Sequence, residues 1–218
     1  MRFLALLKGQ QKEILGNGVV QILIVLGFGY SLVNGAALHE GSYVNFSFSS
    51  SPISDTGSLL IFASILCGTI LGITQFWIPG FRRTWHFLLH RCASRTTILL
   101  SQITAAVITL VIFTGGSWTL LFLYASLPKL FILPPTCRVY IEGWLFISLG
   151  LLSYLGVALS GINPAPLYST KLFGITLAGI VLIVTFMQLG ILWASAVIAA
   201  GILILAIQLY SMFLEREF

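Results

Sequence analysis

The chain has 218 residues, of which 58% are hydrophobic and only 8% are charged, with a mean hydropathy of +1.03. A soluble domain carries about a quarter charged residues, so this chain cannot cover its own surface in water, and soluble enzyme folds are excluded. The net charge of +5 would suggest nucleic acid in a soluble protein. Here it reads as orientation, because Lys and Arg collect on the cytoplasmic side of a membrane protein.

Residues 1–16 come first in chain order. Phe3, Leu7 and Ile14 can share a helical face that excludes Lys8, Lys12 and Glu13. Such a segment suits an amphipathic helix lying at the membrane surface, and a plain basic flank is the alternative. No cleavable signal peptide is expected, because Lys8 ends the short apolar stretch Phe3 to Leu7. A membrane span needs about 20 mostly apolar residues. Six stretches meet that need, near 19–38, 58–79, 98–127, 140–160, 171–187 and 190–210. All six should be helices, since lipid does not tolerate unpaired backbone groups. The expected fold is therefore an all-α integral membrane protein, one transmembrane domain over 1–218. The stretch 98–127 is too long for one perpendicular span, so it either breaks at Gly115-Gly116 or tilts or protrudes. Residues 172–210 are barely long enough for two spans, which predicts a tight hairpin near Gln188-Leu189-Gly190, with a single long helix as the alternative.

With the N-terminus inside, the inner loops and termini hold Arg2, Lys8, Lys12, Arg82, Arg83, Arg91, Arg95, Lys171 and Arg216, and the outer loops hold Lys129 and Arg138. Nine against two predicts a multi-pass protein of the cell membrane with both termini cytoplasmic. An odd count of three cysteines, Cys67, Cys92 and Cys137, argues against a disulfide framework.

The spans hold almost no charge. Glu142 and Lys171 fall at span ends, where a charge can reach the interface. No Asp, Glu or His lies at mid-depth, and ion-coupled transporters usually need one there. His86-Phe87-Leu88-Leu89-His90 has the spacing of a helical zinc pair but lacks the Glu that a metalloprotease uses as general base. No metal site and no catalytic residue are expected. No Gly-x-x-x-x-Gly-Lys-[Ser/Thr] loop is present, so the chain does not bind ATP by such a loop. Gln75, Gln102, Thr104, Thr109, Gln188 and Gln208 are polar residues within spans. They read either as a lining for a substrate path or, more commonly, as interhelical glue. Gly68-x-x-x-Gly72 is a helix-packing signal.

The loop after the second span is unusual. Phe81-Arg82-Arg83-Thr84-Trp85-His86-Phe87-Leu88-Leu89-His90-Arg91-Cys92-Ala93-Ser94-Arg95 is dense in Arg yet carries Trp85, Phe87, Leu88 and Leu89. Residues 83–90 can form a short helix with an apolar face and cations, and Ser94 can cap the helix that follows. Such a helix can rest on lipid or enter a groove on a partner.

This loop resembles the signature region of ABC type-2 transporter permeases. Thr84, the pair Leu88-Leu89, and Ser94-Arg95-x-x-Ile98 match that pattern in order and spacing. Arg83, Trp85, His86 and Cys92 stand where the family has Gly, Leu, Glu and Pro. The resemblance implies a six-span, ABC type-2-like fold with a cytoplasmic coupling helix in loop 80–97. It implies the permease subunit of an ATP-driven exporter, with no ATPase site or cofactor of its own. The partners implied are an ATP-binding ABC subunit and a second permease copy or paralogue, besides the lipid bilayer. The partner-binding segment would be Arg83, Thr84, Trp85, Phe87, Leu88, Leu89, Arg91, Ser94 and Arg95. Family members often carry re-entrant helices between the last two spans, and this chain leaves almost no room for them. The rival expectation is a non-transporting anchoring or assembly subunit whose basic loop recruits a cytoplasmic partner.

Overall fold

A computed structural model describes residue 9 and residues 55–81, 94–126, 137–163, 170–187 and 190–215. The expected first span 19–38, the interfacial helix 1–16 apart from Gly9, and the coupling residues 83–91 lie outside the described residues. Every element among the described residues is helical. Helix α1 is Asp55–Gly72, followed by a π-helical turn Ile73–Trp77 and a short α2, Ile78–Phe81. Helix α3, Arg95–Leu110, passes through a second π-helical turn, Val111–Gly115, into α4, Gly116–Ala125. Helix α5 is Cys137–Ile162, a 3₁₀ turn Thr170–Leu172 leads into α6, Phe173–Phe186, and α7 is Ile191–Glu215.

Among the described residues, four stretches are long and apolar enough to cross a bilayer: Leu60–Gly80, Arg95–Leu120, Tyr140–Ile162 and Ile191–Glu215. Helix α6 is apolar but has only 14 residues. The break expected between the last two stretches falls at 187–190, so a single long helix is not formed there. The break considered at Gly115-Gly116 does not form. Gly116 keeps right-handed helical angles (φ −62°, ψ −46°), and the chain widens into a π turn instead. The hydroxyls of Thr114, Ser117 and Thr119 each donate to a carbonyl four residues back. Such back-bonding gives the backbone an alternative partner and loosens a helix locally. The other π turn has a different cause. Pro79 has no N–H for the carbonyl of residue 75, and its ring crowds the turn before it. The chain responds one turn earlier, where the Ile78 N–H reaches back to the Ile73 carbonyl, five residues away.

Helix α5 is the axis of the bundle, with residues 152–160 buried in an unbroken run. Close approach on two sides depends on missing side chains. A Cβ on Gly68 would collide with the Gly150 carbonyl, and one on Gly72 would sit 2.9 Å from Val157. On the other side a Cβ on Gly156 would lie 2.7 Å from the Gly174 carbonyl of α6. Small residues let backbones approach where lipid offers no hydrophobic drive for association. Helix α7 contributes one buried stripe, Ala194, Ile198, Gly201, Leu205, Leu209 and Phe213. Much of its remaining surface is apolar and exposed, including Leu192, Trp193, Leu203 and Ile207, while Gln208 on the flank of the stripe is half-buried.

Contacts between named residues fix the directions. Gly68 meets Gly150 and Trp77 meets Val157, so α1 and α5 run parallel. Gly115 meets Trp144 and Trp118 meets the Tyr140 carbonyl, so α3–α4 runs antiparallel to α5. Gly174 packs on Gly156 and Leu159, which makes α6 antiparallel as well. Gly201 of α7 lies against Leu152 and Val181. Neighbouring segments thus alternate up and down, as in a chain that crosses a layer repeatedly.

Candidate functional site

One end of the bundle gathers the end of α1–α2, the start of α3, the end of α5, the start of α6 and the end of α7. Ser94 caps α3: its hydroxyl accepts from the Thr97 N–H at 3.3 Å and lies 2.6 Å from the Thr97 hydroxyl. This satisfies one of the orphan donors of a helix start. The next residue, Arg95, donates from its guanidinium to the Leu214 carbonyl at 3.2 Å. A cation at a helix C-terminus complements the helix dipole, so the start of α3 is tied to the end of α7. On the same end, the Lys171 ammonium lies 5.4 Å from the Trp77 ring centroid, a cation–π distance. The Trp77 indole donates to the Val157 carbonyl at 3.0 Å.

Of the expected partner-binding residues, Ser94 and Arg95 are therefore at this end, exposed and beside α7. Arg83, Thr84, Trp85, Phe87, Leu88, Leu89 and Arg91 lie outside the described residues. Gly68 and Gly72 lie at the α1–α5 contact, away from this end.

The opposite end gathers Cys137, Met187 and Gly190. Here Arg138 donates to the Glu142 carboxylate at 3.0 Å, one turn along α5. The pair is asymmetric, with the Arg138 side chain 64% exposed and that of Glu142 only 7%.

Between the ends lies a polar layer. The Tyr154 hydroxyl donates to Gln75 Oε1 at 2.7 Å, and both residues are buried. Phe76 packs against the Tyr154 ring with centroids 6.1 Å apart. Gln75 belongs to the π turn, which shifts the following residues around the helix axis. Carrying the α3–α5 register inward from Gly115 and Trp144 places Gln102 level with Val157, since both helices rise equally per residue. The Arg95–Leu214 contact likewise sets Gln102 opposite Ile207, and the Gly201–Leu152 contact sets Gln208 level with Leu159. Gln75, Gln102 and Gln208 thus share one depth, nearer the Arg95 end. Among the described residues, four enclosed side-chain atoms have no hydrogen-bond partner: Gln75 Nε2, Gln102 Oε1 and Gln208 Oε1 in this layer, and Ser64 Oγ on α1 at the level of Gly150.

Interhelical glue is present, but mostly elsewhere. Thr69 and Ser153 hydroxyls meet at 2.8 Å, and the Ile175 N–H donates to Ser160 Oγ at 3.2 Å. Thr109 bonds its own helix through the Ala105 carbonyl. Gln188 lies outside the described residues. Sequence reading alone passed over Tyr154, Trp77 and Ser160. The available signal for Tyr154 was a phenol inside the apolar run Leu151 to Leu159, because a buried Tyr hydroxyl usually finds a partner. No family model matches the sequence, and comparison with curated proteins and solved structures returns no match.

Proposed function

We propose that the chain is the multi-pass permease half of a two-component ABC exporter, working as a dimer with a separate ATP-hydrolysing subunit and with both termini cytoplasmic. The observation that carries this reading is the junction at Ser94 and Arg95. The part of the signature that is described sits at the start of a helix, with Ser94 as cap and Arg95 linked to the end of α7. A push on the loop would reach α3 and α7 together. Arg95 and Lys171 lie at this end and Arg138 at the other, in keeping with the inside-outside bias of the sequence. In this reading the energy comes from a partner's ATP, which accords with a core whose described charges all lie near helix ends.

The test is docking. Full burial of a Leu contributes about 1.5–3 kcal/mol, so losing most of two such contacts weakens docking by roughly 2–4 kcal/mol, or about 30- to 1000-fold. Leu88→Asp with Leu89→Asp should release the ATPase subunit in a pull-down while membrane yield stays normal. Normal yield with undiminished capture would show that the loop only rests on lipid.

A second reading, an anchoring subunit that recruits a cytoplasmic partner without transporting, draws on the glycine contacts that lock α1 and α6 to α5. A permease should raise its partner's ATP turnover on adding substrate, and an anchor should not.

A further inference from the structure

The three glutamines are poorly explained as glue. An amide placed to hold helices together spends its donor and acceptor on neighbours. Here one enclosed amide nitrogen and two enclosed amide oxygens, on three different helices at one depth, lack partners among the described residues. An unpaired polar atom in a core is costly, and three of the four such atoms among the described residues fall at one level. The surrounding residues are small on two of the helices: Ala105 and Ala106 flank Gln102 on the buried stripe of α3, and Ala158 faces the same depth on α5. The fourth polar member, Tyr154, holds only Gln75 Oε1 and so fixes that amide with its nitrogen free.

The layer also lacks charge. The described Asp, Glu, Lys and Arg residues of the helical segments, Asp55, Arg95, Arg138, Glu142, Lys171 and Glu215, lie at or near helix ends. An ion brought to this depth would find no counter-charge and would carry a large desolvation penalty. A neutral solute with hydroxyl or amide groups would find both donors and acceptors. We infer that Gln75, Gln102 and Gln208, with Tyr154 as positioning residue, form a hydrated binding station for an uncharged, hydrogen-bonding solute. The inference rests on the permease reading for the idea of a path, and it deepens that reading by naming the class of cargo.

The experiment uses the full chain without its ATPase partner. In a background with the native cysteines replaced by Ala, single variants Gln75→Cys, Gln102→Cys and Gln208→Cys are compared with Leu71→Cys, Leu110→Cys and Ala206→Cys. These control positions carry no polar group and match the glutamines in burial: Leu71 and Leu110 are buried like Gln75 and Gln102, and Ala206 is half-buried like Gln208. The probes are neutral 2-hydroxyethyl methanethiosulfonate and its anionic sulfonatoethyl counterpart. The thiolate is the reactive species and forms only where water reaches the sulfur, so the glutamine positions should react with the neutral probe at least about tenfold faster than the controls. The anionic probe should be slower at the same positions. Equal rates at glutamine and control positions would overturn the station, and equal rates for the two probes would overturn its preference for uncharged solutes. Radiolytic hydroxyl-radical labelling of the unaltered chain covers any variant that fails to fold. Tyr154 should then be modified despite its complete burial, and an unmodified Tyr154 would count against the station. Neither measurement contains an ATPase, so failure to find such a partner would remove the permease reading and leave these results standing.

Discussion

Single atoms decide several contacts in this bundle. Gly68 is the sharpest case, because its missing Cβ makes room for the Gly150 carbonyl, and backbone cannot swing aside as a side chain can. Gly68→Val should therefore cost about 1–3 kcal/mol or more through overpacking, read as a lower thermal midpoint and loss of monodisperse protein. Gly179 sits on α6 with nothing near its would-be Cβ. Gly179→Ala should stabilise slightly, by about 0.5–1 kcal/mol from helix propensity alone. Equal damage from both substitutions would remove the steric explanation. Tyr154 offers a second test at this scale. Tyr154→Phe removes the hydrogen bond to Gln75 Oε1, at a cost of about 1–3 kcal/mol. Adding Gln75→Leu should recover part of that loss, because the orphaned amide goes with it. Additive losses in the double variant would mean that the 2.7 Å contact contributes little.

At the scale of elements, the sequence foretold what repeats and missed what is local. Apolar runs of span length are a strong signal, so four of the stretches recur as long helices within a few residues of their expected ends. The hairpin between α6 and α7 was legible because 172–210 has room for two helices only with a tight turn. The π turns were not legible. One follows from Pro79 acting on the turn before it, the other from hydroxyls whose effect depends on rotamer. Gly115-Gly116 looked like a break because glycine weakens helices, yet Gly115 is packed against Trp144 and the segment stays helical, widened where the hydroxyls of Thr114 and Thr119 bond back to the chain. Of the candidate site, the cap Ser94 was readable from residue type and position alone. The depth shared by the glutamines was not, since it depends on registers between helices far apart in sequence. The start of α5 supplies a further prediction. Glu142 is enclosed while its partner Arg138 is mostly in solvent. Arg138→Ala strands a buried carboxylate, whereas Glu142→Gln removes the charge and keeps a polar group. The first should lower the thermal midpoint more than the second, with added salt narrowing the gap. The reverse order would mean that Arg138 pairs only weakly with Glu142.

For the whole molecule, the alternating directions of the helices make orientation a single question. Ser94 and Leu214 share one end, and Cys137 and Gly190 share the other. In the proposed orientation the Cys137 end faces outward. With Cys67 and Cys92 replaced, Cys137 in intact cells should react with an impermeant thiol reagent, while Thr96→Cys in a chain also lacking Cys137 should react only after lysis. Reaction of Thr96→Cys from outside would invert the molecule. Another whole-molecule property follows from helix α6. Its 14 residues extend about 21 Å, against about 30 Å of hydrocarbon in an ordinary bilayer. The neighbouring helix α5, with 26 residues, extends about 39 Å. Helix α6 is thus the short arm of the hairpin, since its other arm α7 has 25 residues and extends about 38 Å. Exposed Trp193, just beyond the hairpin, marks where the headgroups should come down to meet it. Lipid beside α6 must thin or the hairpin must sink, each at a fraction of a kcal/mol per Å of mismatch. The protein should accordingly be most heat-resistant in vesicles of short acyl chain and lose resistance as the chains lengthen. Membrane thickness then becomes a variable that this molecule senses on one flank only, bending the bilayer around it unevenly.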